Sequence, residues 1–295
     1  MDRNVNGRGP LLMFVSSMLI FGTIGVFRRY IPVSSAFLAF ARGILGGLCI
    51  LLFLKLKKKG DTEKIPAPAV RRLIVSGALI GINWILLFEA YSHTTVAVAT
   101  LCYYMEPTIV TILSPLLFRE RLTGRKAACA AIAVAGMVLV SGVPEGAQGG
   151  NFRGVLFGLG AALFYSAVVI MNKRTTGVDM YRKTEIQLFS AGAVMIPYLL
   201  ATGGFGESGF TPAAVILLLT AGIVHTGIAY VLYFGGMDGL RVQTVAILSY
   251  IDPVSALLFS ALLLREPLSA LGLLGAAMII GSAVVSETGK TKEAA

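Results

Sequence analysis

Apolar residues in this chain gather in long continuous runs parted by short polar segments, so the helices they predict are apolar on every side rather than along one stripe. Ten runs stand out, at roughly 11 to 27, 34 to 54, 73 to 91, 95 to 118, 127 to 143, 154 to 171, 184 to 202, 212 to 235, 242 to 264 and 268 to 286, each near the ~20 residues a membrane-crossing helix needs. A β-barrel would show short alternating segments between turns, whereas these runs are continuous, and only helices then satisfy the backbone inside lipid. The pattern predicts an all-α integral membrane protein of ten transmembrane helices, with residues 1–295 forming a single transmembrane domain.

Composition agrees. A hydrophobic content of 56%, a mean hydropathy of +0.81 and 14% charged residues are too apolar for a soluble domain. The first run leads through Arg28 and Arg29 straight into a second, so it reads as a retained helix and not a cleaved signal peptide. Cys49, Cys102 and Cys129 fall inside apolar runs without paired spacing. They read as small buried hydrophobes, and neither a disulfide framework, a metal cluster nor a cofactor is expected.

The net charge of +10 has a topological reading. With the N-terminus in the cytoplasm, all but five of the 25 Lys and Arg fall on cytoplasmic segments. The exceptions are Arg28, Arg29, Arg153 and Arg265 outside and Arg42 within a helix. The expectation is a multi-pass protein of the cytoplasmic membrane with both termini cytoplasmic. Short basic loops against anionic headgroups account for the charge, so the bilayer is the expected partner and nucleic acid is not.

Internal similarity sharpens the picture. Tyr104, Glu106, Pro107, Arg119, Glu120 and Leu122 recur as Tyr250, Asp252, Pro253, Arg265, Glu266 and Leu268, every pair 146 positions apart. The same shift carries Gly81, Trp84, Leu86 and Phe88 onto Gly227, Tyr230, Leu232 and Phe234. Repeat one is expected over 11–143 and repeat two over 154–286. Five helices per repeat is an odd number, so the second enters the membrane from the opposite side and the repeats are inverted. Such a pair has two related arrangements around one site, a route to alternating access.

Candidate chemistry follows from what is out of place in lipid. Glu106 and Asp252 lie near the middles of the fourth and ninth spans, where an ionised carboxylate costs several kcal/mol unless paired, solvated or protonated. Pro107 and Pro253 follow them, freeing the carbonyls of Tyr103 and Ser249 and predicting a kink beside a cavity. The bland alternative is that the acids hold helices together and the prolines set curvature. Arg42 interrupts span two and is a candidate counter-ion for Glu106, Asp252 or a substrate carboxylate, with a structural ion pair as the competing role. Gln187 lies near the matching place in span seven. Trp84, Tyr103, Tyr104, Tyr230 and Tyr250 sit at membrane depth rather than in interfacial belts, as cavity lining or as core. Glu89, His93 and His225 are candidates for proton coupling, against interfacial solvation for the first two and a neutral interhelical hydrogen bond for His225. Ala131 and Ala135, matched by Ala277 and Gly281, read as small contacts between spans five and ten. The Arg119-Glu120 and Arg265-Glu266 pairs read as helix caps, with gate latches as the alternative.

These residues carry a likeness. Two five-helix halves, each with a tyrosine, an acid-proline pair and a downstream Arg-Glu-x-Leu, resemble the drug/metabolite transporter superfamily, specifically the EamA family. The segment Asn83-Trp84-Ile85-Leu86-Leu87-Phe88-Glu89-Ala90-Tyr91 followed by Thr94-Thr95-Val96-Ala97 is similar to that family's third and fourth helices. The resemblance covers nearly the whole chain. It implies a central cavity framed by helices one, three, four, six, eight and nine, with five and ten supporting or dimerising, and export of amino acids or related metabolites.

The expected function is therefore a secondary carrier of small polar metabolites, monomeric or homodimeric, exporting by alternating access. The alternative is an uptake carrier for a cationic solute such as a quaternary amine, held by the aromatics. No ATP drive is expected: Gly289-Lys290-Thr291 resembles the end of a phosphate-binding loop, but Val284 stands where its first glycine belongs. An intramembrane enzyme is not expected either, since paired aspartate-rich motifs and His-Glu-x-x-His are absent.

Overall fold

A computed structural model describes residues 8–57, 65–118, 123–141, 150–206, 210–266 and 268–288. The described residues are helical almost throughout: α1 Arg8–Tyr30, α2 Ser35–Leu56, α3 Ala67–His93, α4 Val96–Tyr103, α5 Glu106–Phe118, α6 Gly124–Val140, α7 Gly150–Lys173, α8 Met180–Thr202, α9 Pro212–Leu219, a π-helical stretch Thr220–Ile228, α10 Ala229–Met237, α11 Val242–Leu248, α12 Ile251–Leu263 and α13 Ala270–Thr288.

Short hydroxyl and carboxylate side chains start many of these helices. Ser34, Thr95, Thr123 and Thr211 accept from the amides of Phe37, Val98, Lys126 and Ala214, and Asp179 accepts from Tyr181 and Arg182. Each satisfies an amide that has no intrahelical partner. Gly203 closes α8 with φ +69, a conformation that costs glycine nothing.

Among the described residues, seven apolar helical stretches are long enough to cross a membrane: Arg8–Tyr30, Ser35–Leu56, Ala67–His93, Val96–Leu113, Phe152–Lys173, Met180–Thr202 and Pro212–Met237. Ile251–Leu263 and Ala270–Ser286 are shorter apolar helices. Leu12, Leu116, Leu200 and Leu262 are each at least 65% exposed, an arrangement that suits a hydrocarbon solvent.

Packing partners occur in pairs that exchange when the two halves are swapped. α1 lies against α10 and α12, as α7 lies against α3 and α5; α2 lies against the π stretch, as α8 lies against α3; α2 and α8 pack on each other, as do α6 and α13. Close approach is set by glycine. A Cβ at Gly43 would meet the backbone Gly192 N at 2.5 Å and Leu188 O at 2.7 Å, so α2 and α8 cross backbone to backbone. α6 and α13 meet the same way through Gly136 and Gly275. The expected small contacts are displaced here: Ala131, Ala135, Ala277 and Gly281 are exposed. Each residue turns a helix by about 100°, so a one-position difference in register moves the contact to another face.

Candidate functional site

The two acid-proline pairs do more than kink their spans. α4 stops at Tyr103, Tyr104 and Met105 form a turn, and α5 starts afresh at Glu106; α11 stops at Leu248, Ser249 and Tyr250 turn, and α12 starts at Ile251. Tight bonds replace the helical ladder, Met105 N donating to Cys102 O at 3.1 Å and Tyr250 N to Ile247 O at 3.2 Å. Pro107 and Pro253 then occupy the first turn of a new helix, where a missing N–H forfeits no helical bond. Glu106 and Asp252 sit in the first turns of α5 and α12, at the positive ends of two helix dipoles. Mid-span carboxylates are tolerated because each is also helix-terminal.

Phenols connect these acids. Tyr104 Oη donates to Asp252 Oδ2 at 2.6 Å, joining the end of α4 to the start of α12. Tyr103 packs on Tyr104 edge-on and on Tyr165 of α7, with centroids 6.0 and 5.5 Å away. Tyr103 and Tyr165 both lie within electrostatic range of Glu106 and Asp252. Tyr103, Tyr104, Glu106, Tyr165, Tyr230 and Asp252 are each only partly buried although helices of both halves surround them, so they are not sealed into a close-packed core.

Arg42 forms the other pole. It is 5% exposed, and its guanidinium lies 4.3 Å from the Trp84 ring centroid and 5.3 Å from that of Phe88. Its Nε donates to Thr226 Oγ1 at 3.0 Å, and Thr226 in turn donates to Ala221 O, five residues back, in the wider turn of the π stretch. Gly46 makes room, since a Cβ there would strike the Thr226 methyl at 2.5 Å. Tyr91, Tyr103 and Tyr230 lie within electrostatic range of Arg42. Tyr103 therefore neighbours both poles.

The remaining candidates are dispersed. Gln187 belongs to a separate polar group, donating to Ser76 Oγ at 2.5 Å and Asn172 Oδ1 at 2.8 Å. His93 Nδ1 is 2.9 Å from Glu89 O and 3.9 Å from the Glu89 carboxylate, with both side chains about one-third exposed. Glu89 instead lines a cavity of about 630 Å³ between α3 and the facing ends of α2 and α8, beside Pro32, Ser34, Tyr198 and Thr202. His225, 2% exposed, lies 2.8 Å from Thr23 Oγ1 and against the Phe27 ring, the interhelical hydrogen bond weighed above. Tyr250 sits in the turn that opens α12. Among the described residues no group of three or more His, Cys, Asp or Glu converges, so no donor set for a metal is present there.

Tyr91, Tyr165 and Thr226 are additions that sequence reasoning missed. Thr226 carried a signal: the shift of 146 pairs it with Ile80, a polar residue where the repeat has an apolar one. The two tyrosines look like any aromatic in an apolar run.

The second Arg-Glu pair is an anchor. Arg265 takes the left-handed φ of +55, rare for a side chain larger than glycine, and turns the chain so that Glu266 points back into the bundle. Glu266 Oε1 is 2.5 Å from Arg29 Nη2, and Oε2 accepts from Val96 N at 3.0 Å and Ser260 Oγ at 3.1 Å. It thus caps α4, a helix of the other half. The first-half pair Arg119-Glu120 and Leu122, and the segment Gly289-Lys290-Thr291, lie outside the described residues.

The model of the EamA-like transporter family matches twice, at 8–142 and 152–288. The chain is 28% identical over 253 residues to the uncharacterized transporter YxxF of Bacillus subtilis, covering 84% of this chain and 79% of that one. It is 26% identical over 273 residues to Protein PecM of Dickeya dadantii, covering 89% and 86%. A crystal structure 22% identical in sequence superposes with a TM-score of 0.67 over 98% of this chain and all of that one, and shares the fold. Two consecutive matches span nearly all of both halves, and the chain belongs to the EamA-like transporter family.

Proposed function

We propose that this membrane transporter is a secondary carrier that exports small polar metabolites, amino acids foremost, across the cytoplasmic membrane by alternating access. Ten spans form a single domain of two inverted five-helix repeats, 11–143 and 154–286, with both termini cytoplasmic. Glu106 and Asp252 form the acidic side of the substrate site, Tyr103, Tyr104, Tyr165 and Tyr230 line it, and Arg42 stands opposite.

The observation that carries this reading is the pair of broken helices. Each half presents a carboxylate at the start of a half-helix, and Tyr104 joins one half to the other through Asp252 at 2.6 Å. Discontinuous helices meeting at a repeat interface supply polar groups at membrane depth without sacrificing helical bonds. Exchangeable packing partners give the halves a basis for two related arrangements. The phenol lining favours the second reading, uptake of a cationic solute, but the Arg42 charge close to Tyr103 and Tyr230 works against a cation there.

The test is transport by proteoliposomes loaded with a metabolite panel under imposed pH gradients. Glu106→Gln and Asp252→Asn are each expected to lower the rate about tenfold or more, as loss of a charged contact worth roughly 1.5–3 kcal/mol implies. Unchanged transport in both variants overturns the site.

A further inference from the structure

The surroundings of Arg42 fix what its guanidinium is able to bind. A guanidinium has two faces and a rim of five N–H donors. Its central carbon lies over the Trp84 ring at 4.3 Å and over the Phe88 ring, one helical turn further along α3, at 5.3 Å, so aromatic rings occupy the approach from α3. The Nε–H on the rim is spent on Thr226. The two terminal nitrogens remain. Among the described residues they have neither a hydrogen-bond acceptor nor a carboxylate partner. They are not sealed away either: neither terminal nitrogen is among the fully buried, unpartnered side-chain atoms of the described residues. Their neighbours Tyr103 and Tyr230 are partly exposed side chains.

Tyr91 and Tyr103 stand within electrostatic range of both Arg42 and Asp252. Asp252 nevertheless takes its hydrogen bond from Tyr104, and the cation keeps its terminal edge clear. A permanent cation in the interior of a membrane protein, with its remaining donors parallel and unused, lacks its counter-charge.

We propose that the terminal edge of Arg42 is the recognition element for a substrate carboxylate, bound end-on through two parallel N–H···O bonds, and that the cargo is therefore a carboxylate or a carboxylate-bearing zwitterion rather than a simple amine. This rests on the transport reading above and narrows it. Two oxygens in one plane match the fork, and the bond to Thr226 with the ring contacts from α3 holds the guanidinium in place before the substrate arrives. Lysine, a point charge, does not reproduce the geometry. Thr226 is a positioning residue, since it fixes the Nε edge and with it the direction of the fork.

Trp84, the only tryptophan of the chain, lies 4.3 Å from the binding guanidinium, so its emission is the readout of occupancy. The full-length protein in nanodiscs is titrated with the twenty amino acids, with small mono- and dicarboxylates, and with the decarboxylated amine and primary amide of each amino acid. Trp84 emission is followed. A saturable change is expected with at least one carboxylate and not with its matched amine or amide. Arg42→Lys, which keeps the charge, is expected to weaken that response about ten- to a hundredfold, and Arg42→Gln to abolish it. Thermal unfolding shows which variants are folded, and Arg42→Lys carries the test where Arg42→Gln is not. Three results overturn the proposal: matched amines or amides that bind as well as the acids, a carboxylate response unchanged in Arg42→Lys, or no saturable response across the panel. Failure of the transport reading shows instead as transport indifferent to Glu106→Gln and Asp252→Asn.

Discussion

The third span of the first half and its counterpart in the second begin from matching sequence and end in different backbone. Ala67–His93 is one continuous helix, whereas Pro212–Met237 passes through a π stretch at Thr220–Ile228. Trp84 and Tyr230, 146 positions apart, both face the interior. Trp84 stacks on a cation, while Tyr230 stacks on Phe234 with centroids 5.8 Å apart and rings 12° from parallel. The π stretch makes the difference. Its wider turn lets Thr226 and His225 reach carbonyls five residues back, at Ala221 and Thr220, while Thr226 also accepts from Arg42 and His225 meets Thr23. One half supplies the cation and the other the irregular backbone that orients it. Matched positions of the two halves therefore carry unequal chemistry.

The comparison is broken most severely by separating α2 from its neighbours. Gly43→Val places a side chain 2.5 Å from Gly192 N and 2.7 Å from Leu188 O, backbone atoms with nowhere to go. The expected cost is at or above the ~3 kcal/mol upper end of ordinary overpacking, read as loss of monodisperse protein or a steep fall in thermal midpoint. The next effect sharpens the contrast between matched positions. Thr226→Val leaves Arg42 Nε without its acceptor and is expected to cost about 1–3 kcal/mol while weakening substrate response. Ile80→Val, at the equivalent place in the straight helix, is expected to cost about 0.5–1.5 kcal/mol with substrate response intact. Equal losses of stability and of response in the two variants would remove the special role of the π stretch.

Tyr104→Phe tests the link between the halves at the acid pole. It deletes the 2.6 Å bond to Asp252, whose side chain is partly exposed, so the expected loss is about 0.5–1.5 kcal/mol with slower transport. Glu266→Gln is the mildest. The amide oxygen still accepts from Val96 N and Ser260 Oγ, while the amide NH2 replaces the oxygen that faced Arg29, whose exposed side chain turns to water; the two side chains are 19% and 32% exposed. A cost of about 0–1 kcal/mol is expected in thermal unfolding, shrinking further in high salt.

Hydropathy is a local property, so the helical class, the position of most spans and the register of 146 were legible directly in the residues. Acid next to proline marked where two spans would be interrupted, because proline removes a bond wherever it stands. The form of the interruption was not legible: a kink and a stop-and-restart differ in how neighbouring helices accommodate the turn, and here Tyr104 and Met105 form a turn between two helices. Gln187 looked equivalent to Arg42 along the chain and proved to belong with Ser76 and Asn172. Which face of a span meets which neighbour depends on rotation about the helix axis, which an apolar run all round does not encode.

By itself, then, the sequence determined a two-repeat helical membrane protein with carboxylates at the centre of each half. Only the tertiary structure decided that Arg42 faces Thr226, 184 positions away, that Trp84 and Phe88 lie against its guanidinium, and that Glu266 caps a helix of the opposite half. The physical reason is that these contacts join the two halves. They exist only where glycine crossings and a π turn bring separate helices to within hydrogen-bond distance.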